Sequence, residues 1–328
     1  MADLTKFKHK LELGSSPHIH ARVSTSRSMI YVILALIPAV IAGCVVFGLA
    51  QLGVIAVAIA FAVLTEWVIK KVRKKPVTLN DYTAVLTGLL LALIIPPYSG
   101  DPYIFAMAGL GSIFAISVGK EIFGGIGFNI FNPALLGRAF LHISFGDYMG
   151  ASVYTLDGVT TASPLAVMKD MIKGLDVVSP DVMSMFTGNI SGSIGETSAI
   201  AILVGGIFLI AIGIVNWRIP LSIILGAFIF SGAFSLLGSN YPSPLLTILG
   251  GGFLFGVFFM ATDWVTSPLT NKGMWIYGIG IAGLIVLIRM LSQMPEGVMF
   301  AILIMNSFVP LINKFTRPSF FGEDAKYE

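Results

Sequence analysis

Three polar clusters interrupt an otherwise apolar chain, and their residue types could hold a charged or planar ligand. The first, Gly119 to Phe140, reads G-K-E-I-F-G-G-I-G-F-N-I-F-N-P-A-L-L-G-R-A-F. Gly124 and Gly125 would let backbone N–H groups approach a phosphate or a ring, with Asn129 and Asn132 as polar side chains beside them. Pro133 suits the first turn of a helix, and a helix N-terminus favours anions. Arg138, about one turn further in, could add a charge-assisted bond to a phosphate. The competing reading is a tight turn whose glycines only permit close packing.

The second cluster, Asp157 to Leu165, reads D-G-V-T-T-A-S-P-L. Asp157-Gly158 is a turn dipeptide, and Thr160, Thr161 and Ser163 place hydroxyls just before Pro164. Spacing alone reads equally well as an ordinary polar loop, because chemistry at a Ser or Thr usually needs a base beside it. The third cluster, Ala261 to Thr270, reads A-T-D-W-V-T-S-P-L-T. Asp263 beside an apolar run is costly unless it is used, so it marks a functional site, with Thr266 and Ser267 as neighbours. Its other reading is a water-exposed helix cap, and Asp81 divides the same way, with the cap favoured.

The elements that must position these clusters are membrane helices. Hydrophobic residues make up 56% of the 328 and charged residues 11%, against about 25% charged in soluble domains. Apolar runs of about 20 residues recur along nearly the whole length, so the chain reads as an all-α polytopic membrane protein. The N-terminus is polar and basic up to Arg27, unlike a cleavable signal peptide. Lysines and arginines gather at span ends, which argues for a lipid-bilayer partner and against nucleic acid. Cys44 is the only cysteine, and one thiol cannot hold an iron–sulfur cluster. His18 and His20 lie in the polar tail, so no metal site is expected. Any redox role would need an organic cofactor.

About ten spans can be placed. They cover roughly 29–49, 52–69, 81–96, 103–118 and 133–143, then 199–215, 219–237, 245–261, 275–290 and 298–312. The positive-inside rule puts the N-terminal basic residues and Lys70 to Lys75 in the cytoplasm. Both termini are then cytoplasmic, residues 145–197 form an outer-side loop, and Arg289 falls outside as an exception. The organisation is a tail over 1–28, a first membrane repeat over 29–144, the loop, a second repeat over 198–313 and a tail over 314–328. Five spans on each side of the loop give the two halves opposite orientation, the layout of an inverted repeat. Leu86–Pro97 and Leu249–Asp263 are short, glycine-bearing and interrupted, and broken helices in matching positions point to a midplane site.

These motifs, together with S-S-P-H-I at Ser15–Ile19, resemble the family that unites the D subunit of the Rnf complex with the B subunit of the sodium-pumping NADH:quinone reductase. The resemblance covers essentially the full chain, and the short N-terminal tail is closer to the Rnf members. It implies a ten-helix inverted-repeat fold and a flavin-carrying subunit of a multisubunit, redox-driven pump in the cytoplasmic (inner) membrane of a prokaryote. The pump would be an ion-translocating ferredoxin:NAD+ oxidoreductase, with other Rnf subunits supplying iron–sulfur clusters and further flavins. The family's FMN is joined by a phosphoester to a hydroxyl residue, placed there by a flavin transferase. The modified pattern is an Asp, a Gly or Ser, any residue, a Ser or Thr, a Gly or Ser, an Ala and the acceptor Thr. Asp157 to Ser163 match it with two departures: Thr161 replaces the Gly or Ser, and Ser163 replaces the acceptor threonine. Serine offers the same oxygen, so Ser163 is the first choice as acceptor, with Thr161, Thr160 or noncovalent FMN as alternatives. A noncovalent riboflavin is the family's other flavin. Ion coupling is expected at the helix breaks near Asp263 and Leu86–Pro97. A non-redox channel or transporter on the same broken helices is the competing function.

Overall fold

The computed structural model describes residues 24–149, 163–188, 190–238, 240–292 and 296–318. Among the described residues the chain is helical. The first half contains α1 (Thr25–Phe47), α2 (Gln51–Val72), α3 (Thr83–Ile94), α4 (Tyr103–Ile116) and α5 (Pro133–Ser144). Three short helices follow: α6 (Gly146–Met149), α7 (Pro164–Ile172) and α8 (Val182–Thr187). The second half contains α9 (Ala199–Ile212), α10 (Arg218–Leu237), the interrupted pair α11 (Pro244–Leu249) and α12 (Phe253–Phe255), α13 (Asn271–Leu291) and α14 (Val298–Phe315). Six of these, α1, α2, α4 with its extension to Glu121, α10, α13 and α14, are long and apolar enough to cross a membrane. α3 and α9 are shorter apolar helices.

Local chemistry sets the boundaries. Ser24, Asn132, Ser163, Ser198, Ser243 and Thr270 each accept a backbone N–H at a helix start, satisfying donors that have no partner within the helix. Prolines stand at the first turn of α5, α7 and α11, where a missing N–H costs nothing. α3 stops at the extended Ile95, because Pro96 and Pro97 cannot continue it. α4 and α12 each run into one π turn, Ser117–Glu121 and Gly256–Met260, a local widening that often accompanies functional sites.

Packing repeats between the halves. α2 lies chiefly against α3 and α4, and α10 lies chiefly against α11 and α13. α4 packs on α5 as α13 packs on α14, while α1 meets α9 and α5 meets α14 across the centre. The starts of α1, α3 and α5 share one end of the bundle with the finishes of α2 and α4, and this end carries Lys70 to Lys75. At that same end, Asn132 bonds to Met260 at the close of the α11–α12 segment, and Trp264 bonds to Ile214 just past α9. The halves therefore run in opposite senses, as the odd span count requires. Leu86–Pro97 and Leu249–Asp263 occupy equivalent places as the short, broken members.

Two departures from the sequence reading concern charge and loop. Arg289 is buried, and its Nη1 and Nη2 donate to the carbonyls of Thr247 and Gly250 at 2.6 and 2.9 Å. It lies at the end away from the basic cluster, where it satisfies the last carbonyls of α11, which a broken helix leaves bare. The end of the long connection is not a surface loop. Gly195 N–H donates to the Leu93 carbonyl at 2.7 Å, and Ile194, Glu196 and Thr197 are buried. Gly195 permits this contact, since a Cβ there would stand 2.8 Å from the Leu93 side chain.

Candidate functional site

At the basic end, the starts of α1, α3 and α5 and the two π turns enclose a cleft of about 850 Å³, counted to its open mouth. Apolar walls come from Leu86, Leu90, Phe258 and Phe259, and polar groups from Thr83, Lys120, Asn129, Asn132, Thr262 and Asp263. The first and third sequence clusters thus meet here, one from each half.

Asn132 joins the halves. Its Oδ1 accepts from Ala134 N and Leu135 N at 3.0 and 3.3 Å, while its Nδ2 donates to the Met260 carbonyl at 3.2 Å. Behind it, Asn306 sets its amide nitrogen toward the Tyr277 hydroxyl and the Thr266 carbonyl, and its oxygen toward Asn132 N–H. Asp263 accepts from Thr266 Oγ1 at 3.0 Å and from the backbone of Trp264 and Val265, with Asn129 against it. Its carboxylate is therefore supplied with donors by its own turn, and it orders the cleft wall.

The remaining residues of those clusters are placed otherwise. Gly124 and Gly125 have φ of +121° and +105° and shape the turn, without lining the cleft. Such angles are open to glycine and strained for other residues. Thr266 and Ser267 are buried beneath the cleft and support it. Arg138 is not with the glycine turn at all. It sits in the second turn of α5, and that advance along the helix carries it toward the opposite end of the molecule.

There Arg138 is buried, with Nη1 3.2 Å from Glu196 Oε1 and Nη2 paired with Glu296. Ser163 shares a second cavity with Arg138, His142, Glu196 and Glu296, about 740 Å³ counted to its mouth. Ser163 Oγ accepts from Ala166 N at 3.3 Å, so the hydroxyl stands at the N-terminus of α7. The Nε groups of Arg138 and Arg289 are buried and have no partner among the described residues. Burial of unpaired donors is costly; of the two, Arg138 lines the cavity with Ser163, together with its carboxylate partners Glu196 and Glu296. Asp157, Thr160 and Thr161 lie outside the described residues.

Sequence reading missed three groups. Lys120 lines the cleft, 3% exposed, and donates to Glu66 Oε2 at 2.8 Å and Thr83 Oγ1 at 2.6 Å. Glu66 pairs through its other oxygen with Lys70. A carboxylate inside a span, four residues before a lysine, was the available signal. Glu196 had none, because its partner lies 58 positions away.

Residues 12–322 match the family described as NQR2, RnfD, RnfE. Over 316 residues the chain is 43% identical to the D subunit of the Na+-translocating ferredoxin:NAD+ oxidoreductase complex of Acetobacterium woodii, covering 95% of each chain. It is 42% identical to the D subunit of the proton-translocating ferredoxin:NAD+ oxidoreductase complex of Clostridium ljungdahlii, over 98% of this chain and 99% of the relative. It is 35% identical to the D subunit of the ion-translocating oxidoreductase complex of Actinobacillus succinogenes, over 95% and 98%.

Proposed function

Because the chain belongs to the NQR2, RnfD, RnfE family, we propose that it is the flavin-carrying membrane subunit of an ion-translocating ferredoxin:NAD+ oxidoreductase. It works within the complex, with other Rnf subunits supplying iron–sulfur clusters and the contacts to ferredoxin and NAD+. It lies in the cytoplasmic membrane of a prokaryote with both termini in the cytoplasm, the side that the basic end of the bundle favours.

The observation that carries this reading is Ser163, a helix-capping hydroxyl in the same cavity as Arg138. Ser163 Oγ would become the ester oxygen of FMN after a flavin transferase acts, and the first N–H groups of α7 would face the phosphate. Arg138, held by Glu196 and Glu296, supplies a fixed cation on the cavity wall. The cleft at the basic end suits the noncovalent flavin: apolar faces from Phe258 and Phe259 flank a ring, and Asn129, Asn132 and Lys120 offer donors to its polar edge. A bound flavin would supply one- and two-electron redox chemistry, while the protein positions it and tunes it. The broken helices α3 and α11–α12, with their polar ends, are where ion passage is coupled.

Peptide mass spectrometry on complex made with the flavin transferase present tests the assignment. The peptide spanning Asp157–Lys169 should carry one FMN, and Ser163→Ala should remove it. An adduct that survives Ser163→Ala moves the ester to Thr161 or Thr160. An unmodified wild-type peptide, with no flavin released on denaturation, would favour the non-redox channel.

A further inference from the structure

We propose that Lys120, restrained by Glu66, sets the reduction potential of the cofactor in the cleft at the basic end. This rests on the reading of that cleft as a flavin site. Glu66 is fully buried and Lys120 nearly so, in the wall formed by α2 and the π turn that follows α4. An ammonium group has three donors. Two of them reach Glu66 Oε2 and Thr83 Oγ1, and the third has no acceptor among the described residues. Lys120 also lines the cleft, so its charge stands in the wall beside a ligand there.

The charges around it are unevenly balanced. Glu66 is shared between Lys120 and Lys70, so it compensates each ammonium only in part. Thr83 Oγ1 donates in turn to Asp81 at 2.7 Å, which leaves that half-buried carboxylate one residue removed from Lys120. Glu121 is buried toward the glycine turn, near Gly125, and is not on the cleft wall. Asp263, the carboxylate lining the cleft, is taken up by donors of its own turn. Lys120 therefore sets a positive charge in the cleft wall, with Asp263 as the opposing carboxylate across the lining, in surroundings where water screens little. One-electron reduction adds one negative charge to the ring. The electron would come from the ferredoxin side of the complex. The ammonium stabilises the reduced form and raises the potential. Glu66 limits that rise, and it also fixes the position of the ammonium.

Redox titration of the purified complex, followed by the flavin absorbance, tests this with four proteins. Lys120→Met should shift the equilibrium toward the oxidised form at least tenfold, a fall of about 59 mV for a one-electron couple. Glu66→Gln should shift it the other way, and Lys120→Arg should stay near wild type. A purely structural tie between α2 and α4 would move both Lys120→Met and Glu66→Gln in the same direction, or lower flavin content without moving the potential. Either result overturns the proposal. If Lys120→Met does not assemble, the sign of the Glu66→Gln shift decides. A wild-type complex that releases no noncovalent flavin would instead remove the reading of the cleft itself.

Discussion

Arg138 shows how a single residue can belong to a motif in sequence and to another site in space. Its guanidinium is held between Glu196, with a side chain 5% exposed, and Glu296, with one 24% exposed. Removing one partner of a buried pair leaves an uncompensated charge and costs about 3–5 kcal/mol. Arg138→Met should therefore lower the melting temperature of the purified complex sharply. Arg138→Met with Glu196→Gln should recover part of the loss, because the stranded carboxylate is gone. Ser163 depends less on buried partners. Its hydroxyl makes one local bond, so Ser163→Ala should cost about 0.5–2 kcal/mol as a lost cap, and under the proposed linkage it would also remove the ester.

At the scale of elements, helices that stop short do the positioning. α3 ends at a double proline, α11 ends at Gly250 under Arg289, and both π turns deliver residues to the cleft. Such breaks leave backbone groups unsatisfied at membrane depth, which is tolerated only where protein or a cavity supplies partners. Close approach of α1 and α9 holds the halves in register. A Cβ at Gly205 would collide with the Ala35 carbonyl and stand 3.0 Å from the Phe259 ring. Gly205→Ala should destabilise by about 1–3 kcal/mol and loosen the cleft, since Phe259 lines it. Gly146→Ala, with open space around it, should be neutral in the same thermal assay.

At the scale of the molecule, opposed halves give two sites at opposite ends. The cleft with Lys120 and Asn132 lies at the basic end, and the cavity with Ser163 and Arg138 lies at the other. Under the proposed function, a flavin in each would carry electrons between the two sides of the membrane. The orientation is open to a labelling experiment. With Cys44 replaced by Ser, a cysteine at Leu175 should react with an impermeant thiol reagent in intact cells. A cysteine at Lys74 should react only after the membrane is opened. The reverse pattern would invert the assigned topology.

Composition was enough to read the class, an all-helical polytopic membrane protein, because it depends on short-range hydrophobicity; of about ten expected spans, six are long and apolar enough to cross a membrane among the described residues and two more are shorter apolar helices. The helix start at Asn132 was likewise legible as Asn-Pro, since capping is local; Ser163-Pro164 carries the same kind of signal, but the stretch reads as a loop, and its helix comes from the structure. The meeting of Asn132 with Met260 across the two halves was suggested only by their similar motifs. The pairing of Arg138 with Glu196, and of Lys120 with Glu66, required the tertiary structure. Charges buried within a membrane protein must find partners in space, and those partners are chosen by helix packing over separations of 54 and 58 residues, with no local pattern to announce them.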